Sequence, residues 1–299
     1  MRNANLGSIN LTHANFSNAK LNGVFIICAD LSYSIFDNVN MSNSNLYHAK
    51  LNKCILNNVN LYNSNLSDAN LSHSKITNTK FTESLMPNAK FNYTFIKRSS
   101  FYSCNLFGLY VNASNFENCN FERTTLTNIN FCNCIFKKCD LGMSNLSYSN
   151  MYSSKFIETN IKHAVLLNAI LPDLKYNSII GFNDECPKEG SFIGWKKCYD
   201  NNNNLYVVKL EILTNAKRGS GTSTKCRCDK AKVLDILNIM TLKSESENIN
   251  EVHSMYDPNF IYKIGNIIEV KDFDDDFKNT CSKGIHFFMN KKDAINYVY

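Results

Sequence analysis

Charge is scarce in this chain of 299 residues: Asp, Glu, Lys and Arg make up only 19% of it, and Asn and Ser carry most of the polarity instead. Long apolar runs are missing too. No stretch approaches the roughly 18 consecutive apolar residues that a membrane helix needs, so a membrane-spanning protein is not expected. The first residues, MRNANLGSINL, have no apolar core, so no secretory signal is read there and a soluble cytoplasmic protein is the expectation. Apolar content is nonetheless ordinary at 44%, which argues against disorder. The length leaves room for two domains, each with a core of its own.

Over the first half neither the helical period of 3.6 nor the strand period of 2 is present. What is there is a period of five. From Leu6 to Leu171 every fifth residue is Leu, Phe, Ile, Met or Val, 34 times in succession. Two residues before each lies a column dominated by small residues (Ala4, Ala14, Ala19, Ala29, Ser34). Between the two columns stands Asn or Asp in 17 of the 34 cases.

This pattern resembles the pentapeptide-repeat family, whose consensus is A-(D/N)-L-x-x; Ala4-Asn5-Leu6, Ala14-Asn15-Phe16, Ala29-Asp30-Leu31 and Ala69-Asn70-Leu71 are clear copies. The resemblance implies a β fold over residues 1–172, a right-handed quadrilateral β-helix with one pentapeptide per side and four per turn. Two inward positions per side would then fill a common interior. At a sheet spacing of about 4.8 Å, 34 sides make a rod roughly 40 Å long, in which each coil is stabilised chiefly by its neighbours. Residues 20 apart stack, giving ladders such as Leu11, Leu31, Leu51, Leu71, Phe91, with Phe81, Phe101, Phe121 and Phe116, Phe136, Phe156 as aromatic stacks. Pro87 is placed at a corner, and Pro172 marks the end of the array.

Twelve cysteines suggest disulfides only in a small secreted domain. Five of them (Cys54, Cys104, Cys119, Cys134, Cys139) fall in the small column, where Cys reads as a small buried hydrophobe with a free thiol. Cys119 and Cys139 should stack on neighbouring coils, with parallel side chains that disfavour a bridge.

The residue before each large one points outward. One face then reads Asn15, Ile35, Ile55, Lys75, Phe95, Asn115, Ile135, Lys155, and Ile35, Ile55, Phe95 and Ile135 are either a candidate docking strip for the second domain, a second copy or another protein, or scattered apolar residues that the coil tolerates. One subgroup of the family imitates DNA, which requires a strongly acidic rod. Residues 1–171 carry 14 Lys and Arg against 8 Asp and Glu, so DNA mimicry is not expected. Direct nucleic-acid binding is weakly supported. Lys20 and Lys80 share a face and Lys137 adjoins Lys138, but the charge is dilute and no aromatic–basic interleaving occurs. His13 and His73 stand three coils apart, too far to share a metal.

Beyond Pro172 the period vanishes. Residues 173–190 are expected as a linker that covers the end of the coil, and 191–299 as a small α+β domain. Leu205–Leu213 and Ile261–Val270 read as strands, the second with a Gly break. Ala231–Met240 reads as a short helix, and Lys291–Val298 as a terminal helix capped by Asn290. The stretches Phe192–Lys197, Ala216–Ile236 and Cys281–Tyr297 are similar to an uncharacterised domain that follows pentapeptide repeats in some phage and giant-virus proteins. That resemblance implies an architecture and no chemistry, and it places the protein in a host cytoplasm or a virion.

Two sharper readings concern this domain. Cys226, Cys228, Cys281 and His286 could form a thiolate–imidazole zinc site, although simple packing is the reading favoured for them. Lys217, Arg218 and Ser220 could form an anion-holding loop. The Gly284–Phe288 run is faintly similar to strands of NAD-using transferase folds, but no acidic partner stands at a telling spacing. The leading expectation is therefore a non-enzymatic scaffold without a cofactor. The alternative is a zinc-binding or nucleotide-handling module, or an enzyme, with the rod as spacer.

Overall fold

The computed structural model describes residues 2–173, 177–182, 185–279 and 281–298. It divides into two compact units, Met1–Gly181 and Phe182–Tyr299.

The first unit is a coil, and many of its corners are turns closed by a backbone hydrogen bond. In the side that starts at Leu11, the Ala14 N–H donates to the Leu11 carbonyl at 3.2 Å, and His13 between them takes φ 59°. A positive φ at the third residue defines a type II turn. The same sign recurs along the array at Asn18, Asn38, Asn43, Asn58, Asn63 and Asn78. Asn is frequent there because its short polar side chain tolerates the left-handed region. Lys53, Glu83 and Arg98 adopt it as well, held by the coils above and below.

The Asn/Asp column has a local cause. Asn10 Oδ1 accepts from the Thr12 N–H at 3.0 Å, and Asn70 Oδ1 from the Ser72 N–H at 3.0 Å. Each such side chain satisfies a turn N–H that no neighbouring carbonyl reaches. The small column also has polar work. Ser34 Oγ donates to the Leu11 carbonyl and accepts from the Ala14 N–H. Thr124 Oγ1 donates to the Phe101 carbonyl at 2.7 Å.

Cysteines in that column act in the same way, Cys54 Sγ meeting the Leu31 carbonyl and Cys104 Sγ the Phe81 carbonyl, both at 3.0 Å. Burial pushes both thiols up to about 12, so they stay protonated donors. All twelve cysteines are free thiols, and Cys119 and Cys139 meet thiol to thiol on neighbouring coils.

Neighbouring coils pair in parallel with a shift of 20 residues. On one face the pairing is long enough to form strands: β1 (Ile35–Asp37), β2 (Ile55–Asn57), β3 (Lys75–Thr77), β4 (Phe95–Lys97), β5 (Asn115–Glu117), β6 (Ile135–Lys137) and β7 (Lys155–Ile157), stacked in that order. Inside, the large column is buried from Leu21 to Leu166, and the expected phenylalanine stacks are present. Phe101 lies 4.8 Å from Phe81 and 4.7 Å from Phe121, and Phe136 lies 4.8 Å from both Phe116 and Phe156. Past Pro172, β9 (Ile179–Ile180) pairs in parallel with β8 (Thr159–Asn160) and adds one more rung. Leu174–Tyr176, Asn183 and Asp184, within the segment expected as a linker and cap, lie outside the described residues.

Among the described residues, the second unit is a nine-stranded antiparallel sheet with one short helix. Its strands are β10 (Phe192–Tyr199), β11 (Leu205–Ile212), β12 (Arg218–Gly219), β13 (Lys225–Cys228), β14 (Lys230–Asn238), β15 (Glu251–Ser254), β16 (Ile261–Lys263), β17 (Ile267–Glu269) and β18 (Ile285–Phe288). Their order is β12-β13-β18-β10-β11-β14-β17, with β15 joining β10 and β16. β11 matches the expected strand, and the expected Gly break separates β16 from β17 at Gly265, φ 84°.

The helix expected over Ala231–Met240 is instead β14. Its pairing with β11 slips by one residue, from Lys209↔Asp235 to Leu210↔Val233. The extra residue, Leu234, turns the strand's alternation into an apolar spacing of Val233, Ile236 and Leu237, which imitates a helix. The terminal helix α1 runs Lys291–Asn296, with Asn290 Oδ1 accepting from the Lys292 N–H as its cap. It stops two residues short of the expected end.

Candidate functional surfaces

On the strand face of the rod the register places Ile35 on Ile55, Lys75 on Phe95 and Asn115 on Ile135. The four apolar residues of the strip therefore share one ladder, interrupted by Lys75 and Asn115. Ile35 and Ile55 are 39% and 45% exposed, while Phe95 and Ile135 are half-buried.

A second feature borders this strip, two residues earlier in each coil. His13 stacks on Tyr33 at 4.8 Å, Lys53 Nζ donates to the Tyr33 hydroxyl at 2.9 Å, and His73 stacks on Tyr93 at 5.0 Å. His13 and His73 are thus members of an aromatic ridge beside Ile35, Ile55 and Phe95. Sequence reasoning treated them singly, although their spacing of 20 from Tyr33 and Tyr93 carried the signal.

The strip's other border is polar. Asn57 Nδ2 donates to Asp37, Thr77 Oγ1 donates to Asn57, and Lys97 pairs with Glu117 at 3.1 Å. The face combines exposed aliphatic and aromatic carbon with a charged and amide-rich rim.

In the second unit the four residues considered for zinc do not converge. β13 and β18 pair Arg227 with His286 and Cys228 with Ile285. Alternation then puts His286 on the face of Arg227, opposite to Cys226 and Cys228, which are fully buried in the core. Cys281 is exposed, with Lys225 Nζ 3.6 Å from its sulfur. Among the described residues no group of three or more His, Cys, Asp or Glu is arranged to hold a metal ion.

In the expected anion loop the two terminal nitrogens of Arg218 go to backbone carbonyls, while its buried Nε has no partner. The Arg218 guanidinium donates to the carbonyls of Gly190, Leu213, Lys188 and Thr214 and lies over the Phe192 ring. The Lys217 N–H goes to Asp229, and Ser220 Oγ accepts from Glu185. Arg218 is a clamp on its own chain.

Two charged residues escaped the sequence reading. Lys196 lies on the core side of β10, 4% exposed, with Nζ donating to the His286 carbonyl at 3.1 Å; burial lowers its pKa. Arg227 is as deeply buried and pins the 274–282 loop. The alternation of K-C-R-C, with both cysteines inward, was the available signal for Arg227.

His286 is placed for pH dependence. Burial, opposed by the hydrogen bond between Nε2 and the Ser282 carbonyl and reinforced by Lys225, Lys196 and Arg227, lowers its pKa from 6.5 to about 4. The unfolded chain takes up a proton below 6.5 that the folded chain refuses until about 4. This contribution is fully present above the unfolded value and lost as pH falls through that window, on the order of 3 kcal/mol. Urea unfolding of the second unit's signal at pH 7 and at pH 4.5 should show the loss, and His286→Gln should flatten it. Parallel profiles for the two proteins would reject the assignment.

Comparison with known proteins matches these features. The model of the family "Pentapeptide repeats" fits residues 1–26, 26–63, 64–101 and 114–151. An uncharacterised protein of Acanthamoeba polyphaga mimivirus is 32% identical over 131 residues, spanning 41% of this chain and 74% of that protein. The chain belongs to the pentapeptide-repeat family. Beyond the repeats, residues 182–294 of this pentapeptide-repeat protein match a family of unknown function (DUF5758).

Similar solved structures include HetL, a pentapeptide-repeat protein involved in heterocyst differentiation regulation in the cyanobacterium Nostoc. It is 21% identical, covers 63% of this chain and 91% of its own, and has a TM-score of 0.49. Another is QnrB1, a plasmid-mediated fluoroquinolone resistance protein, 14% identical, covering 58% and 92%, at a TM-score of 0.34. Among the described residues, no helix of the pentapeptide-repeat protein is long and apolar enough to cross a membrane.

Proposed function

We propose that this protein is a non-enzymatic interaction scaffold, acting in a host cytoplasm or a virion, whose strand face docks a protein partner or a second copy of itself. The reading rests on the strip Ile35, Ile55, Phe95 and Ile135 with the ridge His13, Tyr33, Lys53, His73 and Tyr93 beside it. Exposed aromatic and aliphatic residues aligned on a rigid ladder lose little conformational freedom on binding, which favours association. The rod's excess of Lys and Arg over Asp and Glu (14 against 8) opposes DNA mimicry. His286 and the two buried cysteines face apart and Arg218 is bonded to carbonyls, which makes the zinc and anion alternatives the weaker reading of the second unit.

The double variant Ile35→Asp, Ile55→Asp should keep the parent's circular dichroism and thermal midpoint, since both side chains point outward. Its mass by light scattering, or the set of proteins captured from the native cell, should change. A variant that matches the parent in both mass and captured partners would remove the strip from the proposal.

A further inference from the structure

Among the described residues, one rung of the rod's ladders is missing. On the face Asn10, Asp30, Lys50, Asn70, Lys90, Tyr110, Asn130, Asn150, Ile170, neighbouring coils bridge at every level except Tyr110 to Asn130. One level down, the Phe91 N–H donates to the Tyr110 carbonyl and the Tyr110 N–H to that of Ala89, at 2.8 and 2.9 Å. One level up, the Phe131 N–H meets the Asn150 carbonyl and the Asn150 N–H that of Ile129, both at 2.9 Å. The equivalent bonds between them, Val111 N–H to Asn130 and Asn130 N–H to Leu109, are not made.

The cause lies in the small column. Up this face it runs Ala29, Ala49, Ala69, Ala89, and then Leu109 and Ile129. Two large side chains one above the other wedge the coils apart, while the central residue there, Val111, is too short to fill the space. The repeat model that fits the flanking coils skips residues 102–113, the same stretch.

The wedge leaves an opening of about 440 Å³, within the size range of small-molecule sites, roughly 300–1,000 Å³. Asn92, Tyr110, Asn112, Asn130, Cys132 and Asn133 line it, with no Lys, Arg, Asp or Glu. Asn112 Oδ1 is buried there without a partner. The Leu109 carbonyl and the Val111 N–H, which lack their ladder bonds, belong to buried residues, and buried backbone donors and acceptors demand partners.

We infer that this opening is a binding site for a small neutral polyhydroxyl ligand, a sugar ring. The lining offers donors and acceptors interleaved at short spacing, which hydroxyl groups match because each both donates and accepts. It offers no charge to hold an anion or a cation. The exposed Tyr110 ring, with Lys90 Nζ 6.0 Å from its centroid, supplies a flat carbon surface at its edge. An extended peptide fits less well, since only two ladder bonds are open before intact rungs close the wall above and below.

The test is titration of the full chain with glucose, galactose, mannose and N-acetylglucosamine, following side-chain amide resonances. At least one sugar should shift the Asn92, Asn112, Asn130 and Asn133 amides saturably. Asn112→Leu should weaken that binding about tenfold, as expected for a lost buried hydrogen bond of roughly 1.4 kcal/mol. Leu109→Ala restores the residue used by four coils below, so it should fold, close the rung and abolish binding. Absence of a saturable shift at these four amides, shifts spread evenly over asparagines of the other faces, or undiminished binding by Leu109→Ala would each overturn the inference. So would inorganic phosphate shifting the same amides where the sugars do not.

Discussion

Replacing Phe101 by Ala is expected to cost about 3–5 kcal/mol, the range for a fully buried aromatic truncated in a core that cannot collapse around it. Phe101 is 1% exposed and stands between the rings of Phe81 and Phe121, with Phe91 edge-on at 6.1 Å. Backbone bonds to the coils on both sides fix the wall around it, because the Phe101 N–H meets the Asn120 carbonyl and the Ser100 carbonyl accepts from the Phe81 N–H. The cavity would therefore stay open. In a solenoid each coil depends on its neighbours, so a defect at this level separates the coils before it from those after it. Denaturant unfolding followed by circular dichroism should show a lower midpoint and a shallower transition. Phe16→Ala is the control, since Phe16 lies in the first coil, is only half-buried and stacks on Phe36 alone. Equal losses in the two variants would contradict a common interior packed coil upon coil.

The rod was readable because its contacts have one fixed separation. Once residues 20 apart are known to stack, Phe81, Phe101 and Phe121 can be placed without further knowledge. The turns were not readable in the same way. Lys53 and Arg98 gave no local sign of a left-handed backbone, which the coils above and below impose on them. The Asn column was read only as an outward surface, while Asn10 and Asn70 are also local caps for turn N–H groups.

In the second unit the partners are set by pairings that no short period reveals, such as Cys226 with Phe287. There Leu234 disguised a strand as a helix, and His286 and Cys228 looked like neighbours although the sheet separates them. Arg218, chosen for its charge, turned out to spend that charge on carbonyls.

Arg227→Met is the second variant with a large expected effect, about 3 kcal/mol or more, because it strands several part-buried acceptors at once. The guanidinium donates to the carbonyls of Asn279, Asp274 and Asp276 and to the Ser282 hydroxyl. It also lies over the rings of Phe273 and Phe277 at 5.6 and 5.5 Å. Gly284 makes room for it, as a Cβ there would stand 2.7 Å from Arg227 Cδ and 3.0 Å from the Phe273 ring. Met preserves the apolar stem and removes every donor, so packing alone cannot rescue the segment. Hydrogen exchange over residues 273–282 should rise sharply in Arg227→Met, and a protease should nick the chain there. Arg218→Met should instead loosen residues 188–190 and 213–214, the carbonyls that Arg218 holds. If both variants loosened the same segment, or neither loosened any, the two arginines would not be the separate clamps that their hydrogen bonds describe.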